Sequence, residues 1–146
     1  MKIRVLSDLH LEFNKNNYID IPEGDVLILA GDICLPCDYD DYHEFFLQCV
    51  EKYNKEFYIM GNHEQYGTKW GEAEKILRDK LPKEITFLQN QSEYYNGVHF
   101  VGATMWTNFD DDANKAEEAG QYMNDQTFGI YRGKFTDVYS MRDYLI

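Results

Sequence analysis

The chain has 146 residues, 44% hydrophobic and 16% aromatic, enough apolar material to bury the core of one domain and too much for a disordered segment. Its formal net charge of −12, from 26 acidic against 14 basic side chains, argues against a broad nucleic-acid-binding surface, because polyanion binding needs clustered Lys and Arg. No signal peptide or membrane span is visible, and three cysteines, an odd number, give no secreted disulfide framework, so a reducing cytoplasm is expected.

Residues 2–6, Lys-Ile-Arg-Val-Leu, alternate in polarity. Residues 26–30, Val-Leu-Ile-Leu-Ala, and 57–60, Phe-Tyr-Ile-Met, are continuous apolar runs, the pattern of parallel strands buried on both faces. Between the last two, Tyr42, Phe45, Phe46, Cys49, Val50 and Tyr53 keep helical spacing behind a capping-box-like start at Asp41 and Glu44. Strand, helix and strand predict a right-handed βαβ unit.

A second helix is predicted from near Thr68 to Pro82, with Trp70, Ala73, Ile76, Leu77 and Leu81 on one face, and a strand over residues 85–88. Tyr94-Tyr95, the turn Asn96-Gly97 and residues 98–103 predict a hairpin that opens a second sheet. Residues 104–134 read as a long, partly helical loop whose run Asp110-Asp111-Asp112 is a solvated face rather than a calcium site. Thr136 is placed to cap a last helix showing Val138, Met141, Arg142 and Leu145, and the sequence ends at Ile146 with no stop signal, so this helix reads as cut.

Three motifs carry the chemistry: Asp8-Leu9-His10, Gly31-Asp32 and Gly61-Asn62-His63-Glu64 each follow one of the first three strand runs. Oxygen and imidazole ligands are thereby delivered repeatedly to the carboxyl edge of one sheet, where open α/β sheets bind their ligands. Asp8 and His10, two apart, project to one side of an extended strand end and can share an ion. Gly31 permits a tight turn that brings Asp32 close enough to bridge two ions. Asn62 offers a carbonyl oxygen without adding negative charge, which preserves a positive field for an anionic substrate, and His63 is left to face a phosphoryl group. Asp-x-His and Gly-Asp are weak signals alone, but Gly-Asn-His-Glu is expected by composition in about one chain in a thousand of this length. The plain alternative, turn residues with backbone-satisfied histidines, does not account for the ordered placement at three strand ends.

The ordered motifs from Asp8 to Glu64 resemble those of the calcineurin-like metallophosphoesterase family, and Gly102-Ala103-Thr104-Met105-Trp106-Thr107 resembles a segment of its small bacterial and phage-type members. The resemblance implies an α/β fold, an α/β/β/α sandwich of mixed sheets, with two divalent ions. It implies Asp8, His10 and Asp32 on the first ion, Asp32 and Asn62 on the second, and Asn62 and His63 toward a phosphate-ester substrate. His63 would stabilise the transition state or protonate the leaving group while a metal-bridging hydroxide attacks phosphorus in line. Mn²⁺ is the expected ion, with Fe or Zn²⁺ compatible with the same donors. The substrate, a phosphate mono- or diester, is not specified further by these motifs.

Family members carry a further histidine motif and then Gly-His-x-His in the second half, and nothing after His63 matches either. His99, inside the apolar strand, is assigned a core or hairpin role rather than ligation, and His43, at the start of the first helix, is assigned to the surface. On the family template residues 1–146 form one domain, the N-terminal part of the sandwich, truncated at its C-terminal end. The isolated chain is therefore expected to be weak or inactive. Its missing ligands would come from a continuation or a complementing C-terminal fragment, and an uncovered apolar sheet face favours self-association. The alternative function is a catalytically inactive remnant or binding module that keeps a metal half-site.

Cys34-Leu35-Pro36-Cys37 also falls between a strand and a helix, as redox pairs do. Asp38 and the acidic residues after it intervene before the helix and oppose thiolate formation, which disfavours a redox centre, and a zinc site lacks a second ligand pair.

Overall fold

The structure, a computed structural model, describes residues 1–13, 19–69, 71–107 and 109–124, with the backbone of 130–131 and 134–135. Four parallel strands form the main sheet in the order β1-β2-β3-β4: β1 Ile3–Leu6, β2 Val26–Ala30, β3 Lys55–Ile59 and β4 Ile85–Phe87. Helices α1, His43–Lys52, and α2, Glu72–Lys80, connect β2 to β3 and β3 to β4.

The apolar runs of β2 and β3 are continuous because successive side chains enter two different cores. Leu27, Leu29, Tyr58 and Met60 pack with Phe45, Phe46 and Cys49 of α1 and with Ala73 and Leu77 of α2. Val26, Ile28, Phe57 and Ile59 face the other way, against Leu88, Tyr95 and Phe100. That second cover is a hairpin, β5 Gln91–Tyr95 and β6 Val98–Gly102, turned through Asn96 and Gly97 at φ 47° and 85°, the pair of positive angles a type I′ turn requires. Phe57 and Phe100 stack with centroids 4.3 Å apart. A Cβ at Gly102 would lie 2.5 Å from the Leu88 Cβ, so only glycine lets the end of β6 reach the sheet.

Parallel and antiparallel pairing are thus both present, in separate sheets. Among the described residues the hairpin does not reach the edge strand: Ile3 and Val5, in register with Val26 and Ile28, are 39% and 58% exposed.

Several local expectations change. The helix begins one residue later than a cap at Asp41 would place it: the chain enters α1 through a 3₁₀ segment, Pro36–Asp41, and Tyr42 stands at the cap position without a side-chain hydrogen bond of its own. α2 starts at Glu72 rather than near Thr68, because Gly71 sits at φ 85° immediately before it. Its end agrees, with Leu81 extended ahead of Pro82. In the region read as a partly helical loop, Asp112 caps α3, Ala113–Gly120, by accepting the Asn114 N–H at 2.9 Å, and Asp110 pairs with Lys115 at 2.7 Å. A two-residue pair, β7 Ile130–Tyr131 and β8 Lys134–Phe135, follows, too short to leave a periodic signal. Trp70 and the predicted final helix from Thr136, with Val138, Met141, Arg142 and Leu145, lie outside the described residues. No described helix is long and apolar enough to cross a membrane.

Candidate metal centre

The loops that leave β1, β2 and β3 converge at the carboxyl edge of the parallel sheet and are tied to one another by backbone bonds. Asp8 N–H donates to Gly31 O at 3.1 Å, His10 N–H to Asp32 O at 3.0 Å and Leu11 N–H to Ile33 O at 2.9 Å, so strand pairing is resumed beyond the sheet. That pairing requires the first loop to kink. Asp8 and His10 stand at φ 55° and 44°, so the segment is not extended as expected, and its side chains are brought together by kinks rather than by strand alternation. Asp32, at φ 54°, is kinked likewise. Left-handed backbone is tolerated at Asp more readily than at most residues and is retained where the surroundings enforce it.

Despite the kinks, Asp8, His10 and Asp32 present ligand atoms that all lie within 4.8 Å of one another. Two carboxylates at that distance repel by roughly 1 kcal/mol at the dielectric of water and more as solvent is excluded, a penalty that a divalent cation reverses. The Ser7 hydroxyl donates to Asp8. Two carboxylates and an imidazole form the mixed oxygen and nitrogen donor set that suits Mn²⁺, Fe or Zn²⁺, so the residues fit a metal.

The third loop docks by glycine contact. A Cβ on Gly31 would meet the Gly61 nitrogen at 2.8 Å, and one on Gly61 would meet Asp32 Oδ1 at 2.1 Å. The same Asp32 oxygen accepts the His63 N–H at 2.9 Å, which fastens the Asn62-His63 segment to the second loop. Asn62 donates through its Nδ2 to the Tyr66 hydroxyl at 3.0 Å, a bond made with the half of the amide that a cation does not bind. Asn62 also lines a cleft of about 280 Å³ with Ala30, Met60, Gly61, Thr104 and Trp106, and the Thr104 hydroxyl donates to Met60 O at 2.7 Å.

Glu64, fully buried, is not available as a ligand. Its carboxylate accepts the N–H groups of Asp32 at 3.1 Å, Ile33 at 2.8 Å and Gly61 at 2.8 Å and the Tyr58 hydroxyl at 2.8 Å. Burial raises its pKa, the Ile33 N–H and Tyr58 hydroxyl oppose the rise, and the Asp32 charge adds to it. Glu64 is the clamp that fixes two of the three ligand loops.

Sequence reasoning missed Glu12. Its Oε1 lies 3.3 Å from His10 Nδ1 and 3.1 Å from His63 Nδ1, its side chain is 9% exposed, and its Oε2 is buried with no hydrogen-bond partner among the described residues. His10, Glu12 and His63 form a second group with potential metal-ligating atoms within 4.8 Å of one another. The only signal in the sequence was an acid two residues after a motif histidine. A buried carboxylate oxygen without a donor costs about 1–3 kcal/mol, which marks this position as one held for something other than stability.

His43 and His99 belong to neither group: His43 Nδ1 lies 3.2 Å from the Tyr39 hydroxyl, and the exposed His99 meets Tyr94 edge-on with centroids 4.9 Å apart. The cysteines do not support thiolate chemistry. Burial pushes Cys34 well up, with the Glu64 and Glu12 charges adding, and burial and then Asp38 raise Cys37.

A parallel sheet carrying this ligand cluster at its carboxyl edge, with an antiparallel hairpin on one face, defines a metallophosphoesterase-type α/β protein. The chain belongs to the calcineurin-like phosphoesterase family, whose profile matches residues 1–143. It is similar to the uncharacterized protein L509 of Acanthamoeba polyphaga mimivirus, 28% identical over 148 residues that cover 84% of this chain and 50% of that protein. The chain thus spans about half the length of that relative. Among solved structures it is similar to the phosphopantetheinyl hydrolase PptH of Mycobacterium tuberculosis, with a TM-score of 0.63 at 14% identity over 99% of this chain and 60% of that one, which shows a shared fold.

Proposed function

We propose that this chain is the metal-ligating portion of a phosphoesterase that hydrolyses a phosphate mono- or diester at a two-metal site. The observation that carries the reading is the convergence of Asp8, His10 and Asp32 within 4.8 Å, built from two separate strand ends, those of β1 and β2, in a member of the calcineurin-like phosphoesterase family. Asp8, His10 and Asp32 would hold one divalent ion, and Asp32 with Asn62 the other. A divalent ion supplies Lewis acidity toward a phosphoryl oxygen and lowers the pKa of water. His63 is the substrate-facing imidazole, fixed by its backbone bond to Asp32 and by the Tyr66 ring 4.4 Å from its own. The Asn62 cleft is where the ester group beyond the phosphate is placed.

Residues 1–146 are read as one domain that draws its remaining metal ligands from a segment outside them. Support for this comes from His43 and His99, which contact tyrosines rather than the ligand cluster. The odd number of cysteines supports a cytoplasmic location.

Calorimetric titration with Mn²⁺ tests the site. Measurable binding that is abolished in Asp32→Ala is expected, and binding that survives the substitution rules out Asp32 as the bridge. Manganese-dependent hydrolysis of an aryl phosphodiester is expected to be weak in the chain alone. Robust turnover lost in His63→Ala would show that no outside ligands are needed.

A further inference from the structure

We propose that Glu12 is the positioning residue that sets the ring orientation and tautomer of two imidazoles at once, His10 at the metal site and His63 at the substrate side; the proposal rests on the function proposed above.

Glu12 Oε1 lies 3.3 Å from His10 Nδ1 and 3.1 Å from His63 Nδ1, and both contacts reach the same nitrogen of the ring. A carboxylate oxygen accepts hydrogen bonds, so each Nδ1 carries the proton that is donated. The neutral ring then bears its lone pair on Nε2. For His10 this makes Nε2 the ligating atom, oriented by a carboxylate behind it in the way metal-bound imidazoles are commonly held. For His63 it fixes Nε2 as the nitrogen turned toward substrate.

The carboxylate is held where it can do this. It follows Leu11, which is 1% exposed and donates its N–H to Ile33 O, inside a one-turn 3₁₀ segment, Leu11–Phe13. The two rings stand edge to face with centroids 4.3 Å apart and an interplanar angle of 70°, so one oxygen can receive both N–H groups. Glu12 Oε2 meanwhile has no partner among the described residues, although it is buried. A carboxylate placed for stability alone would use both oxygens, as Glu64 does.

Two readouts on the full chain test the role, with Glu12→Ala and the near-isosteric Glu12→Gln. In the metal-free chain, long-range ¹H–¹⁵N spectra are expected to show His10 and His63 protonated at Nδ1. In Glu12→Ala both rings should move toward the Nε2-protonated form. Mn²⁺ affinity should fall about 10- to 100-fold in Glu12→Ala and less in Glu12→Gln, with unchanged stoichiometry. Wild-type rings protonated at Nε2, or unchanged tautomers and affinity in both variants, would overturn the proposal. A lost equivalent of bound metal would make Glu12 a ligand instead, and overturn it equally. Failure of the functional reading is separable: if wild type binds no Mn²⁺ the metal site is refuted, while the tautomer measurement still decides the role of Glu12.

Discussion

The Glu64 carboxylate, at the end of the third strand, accepts the Ile33 N–H in the loop after the second strand at 2.8 Å. The same side chain holds Asp32 and Gly61 through their backbones, so the position of the Asp32 carboxylate is inherited from an acid that never reaches the site. Tyr58, buried in the helix-side core, donates to it from below and links the ligand loops to the sheet.

Glu64→Ala is therefore expected to act on both stability and metal binding. It strands three backbone donors and a hydroxyl, each worth about 1–3 kcal/mol when buried without a partner, partly relieved by entry of water. A loss of at least roughly 3 kcal/mol in urea unfolding is expected, with Mn²⁺ binding lost as well. A loss below about 1 kcal/mol would show that the clamp is dispensable.

Gly61→Ala adds only a methyl group, yet it should weaken Mn²⁺ binding more than a typical loop substitution. The new Cβ would stand 2.1 Å from Asp32 Oδ1 and displace the carboxylate or the loop. Calorimetry on a variant shown by circular dichroism to be folded checks this. Wild-type affinity would mean that the two loops separate without disturbing the ligands.

Glu56, at the opposite end of β3 from the ligand loops, predicts a pH dependence independent of the metal site. Burial raises its pKa from 4.5 to about 7, Lys55 opposes the rise and Glu84 adds to it, and its Oε1 has no partner among the described residues. Between those values the folded chain keeps a proton that the unfolded chain has lost. Stability therefore falls as pH rises from about 4.5 to 7, by about 2–3 kcal/mol. Glu56→Gln removes this term, so the stability of the variant relative to wild type should grow across that window in urea titrations. A constant difference from pH 4.5 to 8 would contradict the assignment.

Metal addition should stabilise the fold by linkage. At a free Mn²⁺ concentration of 100 times Kd the gain is about 2.7 kcal/mol, or roughly 5–10 °C in Tm for a chain of this size. The gain should vanish with a chelator and be absent in Asp32→Ala. A Tm that ignores Mn²⁺ in wild type would argue that the ligand group is not pre-assembled for an ion.

The parallel strands, both connecting helices, the hairpin turn and the family were legible in the sequence, because each depends on short-range rules. Continuous runs such as Val26–Ala30 mark strands buried on both faces, and Asn96-Gly97 marks a turn through its tolerance of positive φ. Asp8, His10, Asp32, Asn62 and His63 were legible for a related reason, since motifs at successive strand ends must meet at one sheet edge. Helix starts were less so, because Tyr42 and Gly71 take their cap positions from the entering backbone rather than from a side-chain signature.

Only the tertiary structure decided how those residues meet. The kinks at Asp8 and His10 follow from backbone bonds to Gly31 and Asp32, partners more than twenty residues away. The division of labour among the acids is equally nonlocal. Glu64, inside a ligand motif, is a clamp because the loop after β2 turns its N–H groups onto it, whereas Glu12, outside every motif, meets His63 across fifty-one residues of chain. Sequence determined which chemical groups reach the sheet edge; the packing of three loops, which no local pattern encodes, determined which of them converge as a candidate ligand group and which hold the others in place.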